Sequence, residues 1–222
     1  MAASTRTTNA AARRRAREAE ILAATRALFD RAGVRDAQID EIAKAVGVNR
    51  AIIYRHFSGK EELFALTLVS YLDDLSQLLA TAAAGRHTPI TRLTALVEAF
   101  VDFGVGHPAF VDCAQTLMRR TGPELLDEIS ESAMFRLGRA IAACLKPVAD
   151  TINDGVASGA FHAVDADVLA NHMYATGLGA LQLARVGMLV KETAPGIPTV
   201  APVSSEQVKA FLVTTAKALA VG

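Results

Sequence analysis

The chain has 222 residues, enough for one large domain or for a small domain followed by a larger one. Hydrophobic residues make up 51% of it, and alanine is abundant while β-branched runs are scarce, so the composition favours a helical fold. The formal net charge is zero, but residues 1–60 carry twelve Lys and Arg against six Asp and Glu, whereas residues 61–222 carry eleven against seventeen. This asymmetry suggests that the basic end meets a polyanion, the alternative being a chance distribution over a solvated surface.

Secreted and membrane proteins are the classes that the sequence disfavours. The first twenty residues are polar and Arg-rich, without the apolar segment of a signal peptide. The most hydrophobic uncharged stretch, residues 168–184, is shorter than the roughly 20 residues that span a bilayer. The two cysteines, Cys113 and Cys144, form no CxxC motif. We therefore expect a cytoplasmic protein with reduced thiols, no structural disulfide and no membrane partner.

The N-terminal residues predict an arm followed by a helix. Residues 1–12 are small and polar, and with the first arginines they predict a disordered basic arm over residues 1–14. The string RRRARE, at residues 13–18, opens the first helix, and apolar residues from Ile21 to Phe29 recur on one face of it. Gly33 is a typical helix stop. The arginines at 13, 14, 15 and 17 either solubilise the helix start or contact a DNA backbone or minor groove.

Three further helices are predicted before residue 85. The first covers residues 39–46, and Gly47 permits a tight turn after it. The second covers residues 49–56, with Asn49 as a good N-cap. Ser58 and Glu61 have the spacing of a capping box, which predicts that the third begins near residue 59. Beyond it the pattern predicts helices at 89–105, 108–120, 123–157 with a bend or break at Pro147, 167–191 and 204–220, with a proline-rich loop before the last.

The order of three short helices, with a glycine turn between the second and third, predicts a helix-turn-helix. Its core would contain Leu28, Phe29, Ile42, Val46, Val48, Ile53 and Phe57. The N-terminal residues of the third helix would then reach base edges in the major groove. Arg50 suits guanine and the methyl groups of Ala51 and Ile52 suit thymine, while Tyr54, His56 and Lys60 could reach phosphates. Alternatively, Tyr54 packs on the core and His56 is a solvated surface residue.

The segment from residue 21 to residue 68 resembles, without a gap, the N-terminal domain of the TetR family of bacterial transcriptional regulators. The matching positions are Leu28-Phe29, Gly33, Ile42-Ala43, Gly47-Val48, Tyr54, Phe57, Lys60, Glu61 and Leu63. The resemblance implies an all-α fold with a DNA-binding domain, at residues 15–60, and a ligand-binding and dimerisation domain, at residues 61–222. The pattern along the chain predicts about nine helices. It also implies no enzymatic activity, and we expect no cofactor.

Two departures from the family pattern bear on DNA recognition. Ala37 and Gln38 stand where the family usually has Thr or Ser; Gln38 can still bond a phosphate, and Asp36 could serve as the cap. Asn49, Ala51 and Ile52 stand where the family usually has Ser, Gly and Thr. Asn49 could both cap the helix and read adenine, whereas Ile52 removes a hydroxyl and adds apolar bulk. We therefore expect the preferred operator to differ from those of relatives.

The larger domain carries less specific signals. Aromatic, Met and neighbouring apolar residues suggest a ligand pocket, for which the candidates are Phe100, Phe103, Phe110, Cys113, Leu117, Met134, Met173, Tyr174 and Leu178, with plain core packing as the alternative for each. His107, Asp112 and Cys113 match no standard metal site, so we expect no metal. The small residues of helix 167–191 permit close helix approach, and with helix 204–220 they predict a homodimer interface.

Together these features predict a ligand-responsive regulator, with a repressor released from a palindromic operator by a small, mainly apolar molecule as the leading hypothesis. The alternatives are a ligand-responsive activator, a sequence-neutral DNA-binding protein and a sensor that acts through a protein partner. An enzyme is disfavoured because the sequence shows no nucleophile elbow, phosphate loop, metal cluster or carboxylate pair.

Overall fold

The structure is a computed structural model that describes residues 2–34, 38–162 and 165–222, with side chains described from residue 11 onward. The described residues form ten α-helices and one two-stranded antiparallel sheet. The elements are α1 (Ala2–Ala32), α2 (Ile39–Val46), α3 (Arg50–His56), α4 (Lys60–Ala83), α5 (Pro89–Gly106), α6 (Pro108–Met118), α7 (Gly122–Glu128), α8 (Glu131–Ala157), α9 (Ala166–Val186), β1 (Met188–Ala194), β2 (Ile197–Pro202) and α10 (Ser205–Val221). The expected all-α class is confirmed, with a minor sheet added.

Residues 2–14 correct the first prediction. They were expected to form a disordered arm, but α1 already includes them and runs without a break to Ala32. The physical reason is composition, because the first 32 residues contain neither Gly nor Pro and are rich in Ala and Arg, which are among the best helix formers. Propensity and length thus outweigh the polarity that suggested disorder.

The long predicted segment 123–157 is divided, but not at Pro147. The break lies at Ile129 and Ser130, between α7 and α8, and Pro147 lies inside α8. A proline removes one helical hydrogen bond, and the surrounding turns of a long, packed helix can tolerate that loss. The Thr151 hydroxyl donates to the Pro147 carbonyl at 2.7 Å, so that carbonyl has a side-chain partner.

A hairpin replaces the predicted loop at residues 193–203 and shortens the preceding helix. α9 ends at Val186, where Gly187 adopts a left-handed conformation at φ 69°. β1 and β2 then pair antiparallel from Met188 opposite Pro202 to Ala194 opposite Ile197. The prolines that argued against a strand are tolerated because in a two-stranded sheet every strand is an edge strand.

The chain groups into two compact units. One contains the chain up to Tyr71 together with Pro108–Gly138, and the other contains Leu72–His107 and Arg139–Gly222. The unit boundary therefore lies inside α4 and inside α8. The functional division into residues 15–60 and 61–222 remains a prediction.

The first unit has the predicted core around the helix-turn-helix. Phe29, Ile42, Ile53 and Phe57 are all buried, and the ring of Phe29 meets that of Phe64 edge-on with centroids 5.0 Å apart. Leu28, Val46 and Val48 are half-buried. Each fully buried side chain of this cluster contributes about 1.5–3 kcal/mol to holding the short helices together.

The second unit packs α5, α8, α9 and α10 around two buried clusters. One contains Ala149, Ile152, Ala166, Leu169 and Ala170, and the other contains Leu93, Phe161, Ala216 and Ala220. Gly177 of α9 lies so close to the Phe100 ring of α5 that a Cβ there would clash at 2.6 Å. The glycine thus permits close approach of two helices, as the small-residue composition of α9 predicted.

α4 is the one described helix that is long and apolar enough to cross a membrane by length and composition. However, 61% of its apolar window is buried inside the structure. That burial is typical of the core helix of a globular protein.

Candidate DNA-reading helix and effector cavity

α3 is a short helix that its neighbours hold rigidly. The Asn49 side chain accepts a hydrogen bond from the Ile52 N–H at 3.0 Å, which confirms Asn49 as the N-cap. Gly47 ends α2 at φ 72°, a conformation that costs other residues steric strain. Ile53 is fully buried and Phe57, at the C-cap, is 2% exposed. One face of α3 is therefore fixed, and the opposite face is left for solvent or a partner.

The outward face of α3 is polar and cationic. Arg50, Ala51, Tyr54 and Arg55 are exposed, while Ile52 is half-buried. Tyr54 is 44% exposed, so its side chain is not enclosed in the core. Arg55 was not among the predicted contacts, although it lies four residues after Ala51 and hence on the same face. This four-residue spacing in the sequence would have identified Arg55 as a candidate DNA contact.

Arg50 is held in place by two neighbours. Its guanidinium donates to the Tyr54 hydroxyl at 3.2 Å and lies 5.3 Å from the centre of the Tyr54 ring. Its Nη1 also lies 3.6 Å from the Asp40 carboxylate on α2. The hydrogen bond to Tyr54, and secondarily the charge of Asp40, raise the pKa of Arg50, so it is always cationic. An exposed pair of this kind contributes little to stability and is easily exchanged for another anion.

His56, Lys60 and Gln38 occupy less direct positions around α3. His56 is half-buried, its Nδ1 is buried without a hydrogen-bond partner in the described part of the chain, and burial lowers its pKa, with Arg14 the next cause. Its ring is thus neutral at neutral pH. Lys60 is half-buried with its Nζ 5.1 Å from the Phe64 ring centre. Gln38, which is exposed, caps α2, and its N–H donates to Glu41 at 3.3 Å. The alternative cap, Asp36, and Ala37 lie outside the described residues.

The turn between α3 and α4 is built differently from the predicted capping box. The Ser58 N–H donates to Glu62 at 2.8 Å and its hydroxyl also donates to that carboxylate, so the reciprocal partner is Glu62 and not Glu61. Glu62 accepts a further bond from the Ser130 hydroxyl at 2.7 Å. Burial opposes ionisation of Glu62, but the hydrogen bonds from Ser58 and Ser130 outweigh it and lower its pKa. Glu61 instead lies 3.4 Å from Arg120.

The N-terminal arginines add positive charge to the same unit. Arg13, Arg14, Arg15 and Arg17 are exposed on α1, and Arg17 pairs with Glu20 at 2.8 Å. Arg14, Arg17 and Arg55 all act to lower the pKa of His56, which places them within electrostatic reach of the C-terminal end of α3. Cations from α1 and α3 thus share one region, as binding to a polyanion requires.

The second unit contains an apolar cavity of about 60 Å³, lined by residues of α4, α5, α8, α9 and α10. Of the nine predicted pocket residues, Phe100, Met173 and Tyr174 line it. The rings of Phe100 and Tyr174 meet edge-on with centroids 6.1 Å apart. Sequence reasoning missed further lining residues on three helices: Leu75, Leu79, Cys144, Leu145, Val148, Leu212, Thr215 and Leu219.

The other six predicted pocket residues lie elsewhere. Phe110, Cys113, Leu117 and Met134 belong to the first unit, where the first three are buried and Met134 is half-buried. Phe103 stacks on His107 with centroids 4.3 Å apart, and Leu178 is buried outside the cavity lining. Their apolar character had suggested a pocket, but the sequence could not say which neighbours each would meet.

The cysteines and the candidate metal ligands form no reactive centre in the described ranges. Cys113 and Cys144 are buried free thiols, and burial raises the pKa of both, that of Cys144 to about 12. A buried protonated thiol is a poor nucleophile, which disfavours a redox-sensor role. Among the described residues, no three His, Cys, Asp or Glu side chains group closely enough to hold a metal ion.

Comparison with known proteins agrees with this geometry. Residues 21–67, which span α2, α3 and the adjoining ends of α1 and α4, match the sequence profile of bacterial regulatory proteins of the tetR family. Residues 21–67 are therefore similar to the N-terminal domain of this family, and we call them the TetR-family domain. A stretch of 91 residues of this chain is 38% identical to the HTH-type transcriptional activator FasR of Mycolicibacterium smegmatis, a match that covers 39% of this chain and 40% of FasR. The chain thus matches about two fifths of that relative's length.

Solved structures extend the likeness to the whole fold. A bacterial regulatory protein of the tetR family from Rhodococcus RHA1 superposes with a TM-score of 0.65 at 18% identity, over 92% of this chain and 97% of that one. The transcriptional regulator FadR of Bacillus subtilis, solved in complex with stearoyl-CoA, superposes with a TM-score of 0.64 at 12% identity, over 90% and 97% of the two chains. At such low identities these matches establish the fold alone.

Proposed function

We propose that this protein is a DNA-binding transcriptional regulator that reads an operator with α3 and responds to a small molecule bound in the second unit. The observation that carries the proposal is the outward face of α3, where Arg50, Ala51, Tyr54 and Arg55 are exposed on a helix whose other face is locked into a core. A rigid helix with such a face can enter the major groove, and its first residues can then contact base edges.

Arg50 is the proposed base-reading residue because it opens the helix and is already extended over Tyr54. If the Arg50 guanidinium left Asp40 to contact guanine, little free energy would be lost, since an exposed ion pair contributes only about 0–1 kcal/mol. A bidentate arginine–guanine contact discriminates by about 1–3 kcal/mol. Ala51 and Ile52 are proposed to touch thymine methyl groups, Asn49 to read adenine, and Gln38, Tyr54 and Lys60 to contact phosphates. Arg55 joins that phosphate set, whereas the half-buried, neutral His56 is the weakest member of it.

The DNA test begins with selection of bound sequences from a random duplex library by the wild-type protein. Enrichment of a two-fold symmetric site is expected, and no enrichment would favour the sequence-neutral alternative. On the selected site, Arg50→Ala should weaken binding roughly fivefold to 150-fold and relax the choice at one base. Lys60→Ala should weaken binding to all DNA sequences equally. It should also reduce, by about 1, the slope of the logarithm of the binding constant against the logarithm of the salt concentration.

Arg139→Ala is the matched control, because Arg139 is an exposed arginine of the second unit. Its affinity should equal that of the wild type. Equal affinity of Arg50→Ala and wild type would contradict the proposed role of α3.

A homodimer is proposed because apolar side chains lie exposed along consecutive elements of the second unit. They are Leu183, Val186, Met188, Val190, Val200, Phe211 and Leu219, which belong to α9, the hairpin and α10. Val190 is 80% exposed and pairs across the hairpin with Val200, which is 60% exposed. Isolated two-stranded hairpins are marginal in water, and apolar patches of this kind mark interaction sites. The proposed interface therefore extends from the predicted helices into the hairpin.

Phe211→Glu tests the dimer, with Phe135→Glu as the control. The two phenylalanines are almost equally exposed, 68% and 69%, but Phe135 lies in the first unit. Sedimentation should show a dimer for wild type and Phe135→Glu, and dissociation for Phe211→Glu. A dimer of unchanged stability in Phe211→Glu would place the interface elsewhere.

The effector response is proposed as a population shift. A ligand releases the operator only if it binds the DNA-incompetent state more tightly than the competent one. α4 contributes Leu75 and Leu79 to the cavity and Lys60 to the TetR-family domain, so one helix carries residues of both sites.

The leading form of the proposed regulator is a cytoplasmic repressor. An activator is the second candidate because FasR is named as one. Expression of a reporter behind the selected operator, with and without the protein, separates the two.

A further inference from the structure

We propose that the effector is an uncharged, mainly apolar molecule that carries an alcohol, phenol or carbonyl oxygen, and that the hydroxyls of Tyr174 and Thr215 anchor this oxygen. This inference rests on the proposed function, because it assumes that the cavity of the second unit is the effector site. It adds to that function the charge class of the ligand and the two side chains that would recognise it.

The lining of the cavity argues against a charged ligand. The described residues that line it are Leu, Val, Ala, Gly, Phe, Met, Cys, Thr and Tyr, and none of them is ionised at neutral pH. A carboxylate or ammonium group buried there would lose its water without gaining a counter-charge, which costs several kcal/mol. The uncharged lining of the cavity therefore disfavours charged ligands.

The lining still offers hydrogen-bonding groups that the protein does not use. Helical threonines of this chain commonly donate to the carbonyl four residues earlier, as do Thr25, Thr67, Thr81, Thr94, Thr116, Thr151 and Thr214. Within the described ranges, Thr215 makes no such bond. Tyr174 likewise makes none, whereas the buried Tyr71 donates to Asp30 at 2.6 Å. Of the other polar lining residues, Cys144 already donates to the Leu72 carbonyl at 3.3 Å, and Thr176 is exposed to solvent.

The ionisation state of Tyr174 fits this role. Burial, with Cys144 as a secondary cause, raises the pKa of Tyr174, so its hydroxyl stays protonated and can donate. Thr215 can donate or accept. An alcohol or phenol could therefore use both side chains, and a ketone or ester could accept from both. A pure hydrocarbon would leave the hydroxyls without partners.

Size and access narrow the class further. One water needs at least about 10–15 Å³ of such space, so the cavity of about 60 Å³ has room for a small molecule. Only two lining residues are exposed, Thr176 of α9 and Leu219 of α10, which places the opening between these helices. A larger effector would have to displace flexible side chains such as Met173, and that displacement is one source of differential affinity between states.

The test uses three probes with the same four-carbon chain: 1-butanol, butyrate and butylammonium. Binding is followed by NMR of the ¹³C-labelled Met173 methyl group, which lines the cavity. 1-Butanol should shift this signal in a saturable way, and the two ions should bind at least tenfold more weakly. Butyrate or butylammonium binding as tightly as 1-butanol would overturn the proposed charge class.

The anchors are tested with Tyr174→Phe and Thr215→Val, alone and combined. Each substitution should lower the affinity for 1-butanol about threefold to tenfold, as expected for loss of one neutral hydrogen bond. Thr214→Val is the control, since that neighbour on α10 already donates to the Ala210 carbonyl. Unchanged affinity in the combined variant would overturn the anchors. No saturable shift with any probe, in a protein that still binds its selected operator, would overturn this inference and leave the regulator proposal standing.

Discussion

Replacement of Glu62 by alanine should destabilise the turn that joins α3 to α4. Glu62 is 6% exposed, and its carboxylate accepts hydrogen bonds from the Ser58 N–H, the Ser58 hydroxyl and the Ser130 hydroxyl. Alanine removes all three bonds at once. The perturbation is local to the first unit and touches no residue proposed to contact DNA.

The magnitude follows from the surroundings of the three donors. A hydrogen bond to a charged acceptor contributes about 1.5–3 kcal/mol. Ser58 is exposed, so water can replace its lost partner, while Ser130 is half-buried and cannot be rehydrated as fully. We therefore expect a total loss of about 2–4 kcal/mol, well below three full bonds. For a chain of this size that corresponds to a decrease of roughly 4–16 °C in Tm.

The pH dependence gives a second, independent signature. The folded-state pKa of Glu62 lies below its ordinary value of 4.5. The unfolded chain therefore binds the proton more readily, and the stabilisation is fully present above pH 4.5 and is lost as the pH falls through the folded-state pKa. Glu62→Gln keeps the shape without the charge, so its stability should be lower at pH 7 and should depend less on pH below 4.5.

Thermal unfolding at pH 7 measures the loss of stability, and a series of pH values below 4.5 measures its pH dependence; hydrogen exchange of the Ser58 amide reports on the turn itself. Glu98→Ala is the control, because Glu98 is an exposed glutamate of α5. A change of less than about 0.5 kcal/mol in Glu62→Ala, the range typical of surface substitutions, would refute the reasoning.

Three further predictions concern stability and thiol reactivity. His56→Gln should flatten the pH dependence of stability below pH 6.5, because the lowered pKa of His56 makes the unfolded state the better proton acceptor there; urea midpoints at pH 5 and pH 7.5 measure it. Gly155→Ala should lower the free energy of unfolding by about 1–3 kcal/mol, since a Cβ there would overlap the Phe161 ring, and an unchanged urea midpoint would contradict this. Cys144, whose pKa is raised to about 12, should resist a thiol reagent at pH 8 until the protein unfolds.

Local chemistry accounts for the features that were predicted correctly. The bounds of α2 and α3 follow from the Gly47 turn, from the Asn49 cap and from apolar periodicity, all of which act within a few residues. The cap at Ser204 likewise begins α10 at the expected place. Even the missed Arg55 was available from the sequence, because it shares a helical face with Ala51.

Contacts between residues far apart in the chain explain the features that the sequence did not predict. Glu62 rather than Glu61 caps the α3–α4 turn because Ser130, far away in the chain, supplies a further donor to that carboxylate. The hairpin depends on pairing between two short strands whose prolines obscure their pattern.

The effector cavity shows the same division. By itself, the sequence determined which residues point inward, how the DNA-reading helix is capped and which of its residues face out, because periodicity and caps depend on near neighbours. Only the tertiary structure decided that Phe100, Met173 and Tyr174 meet Leu212 and Thr215 around one space while Phe110 and Cys113 pack in the other unit. The physical reason is that a hydrophobic stripe favours burial without specifying a partner. Its partner is chosen by the packing of helices that lie far apart in the chain.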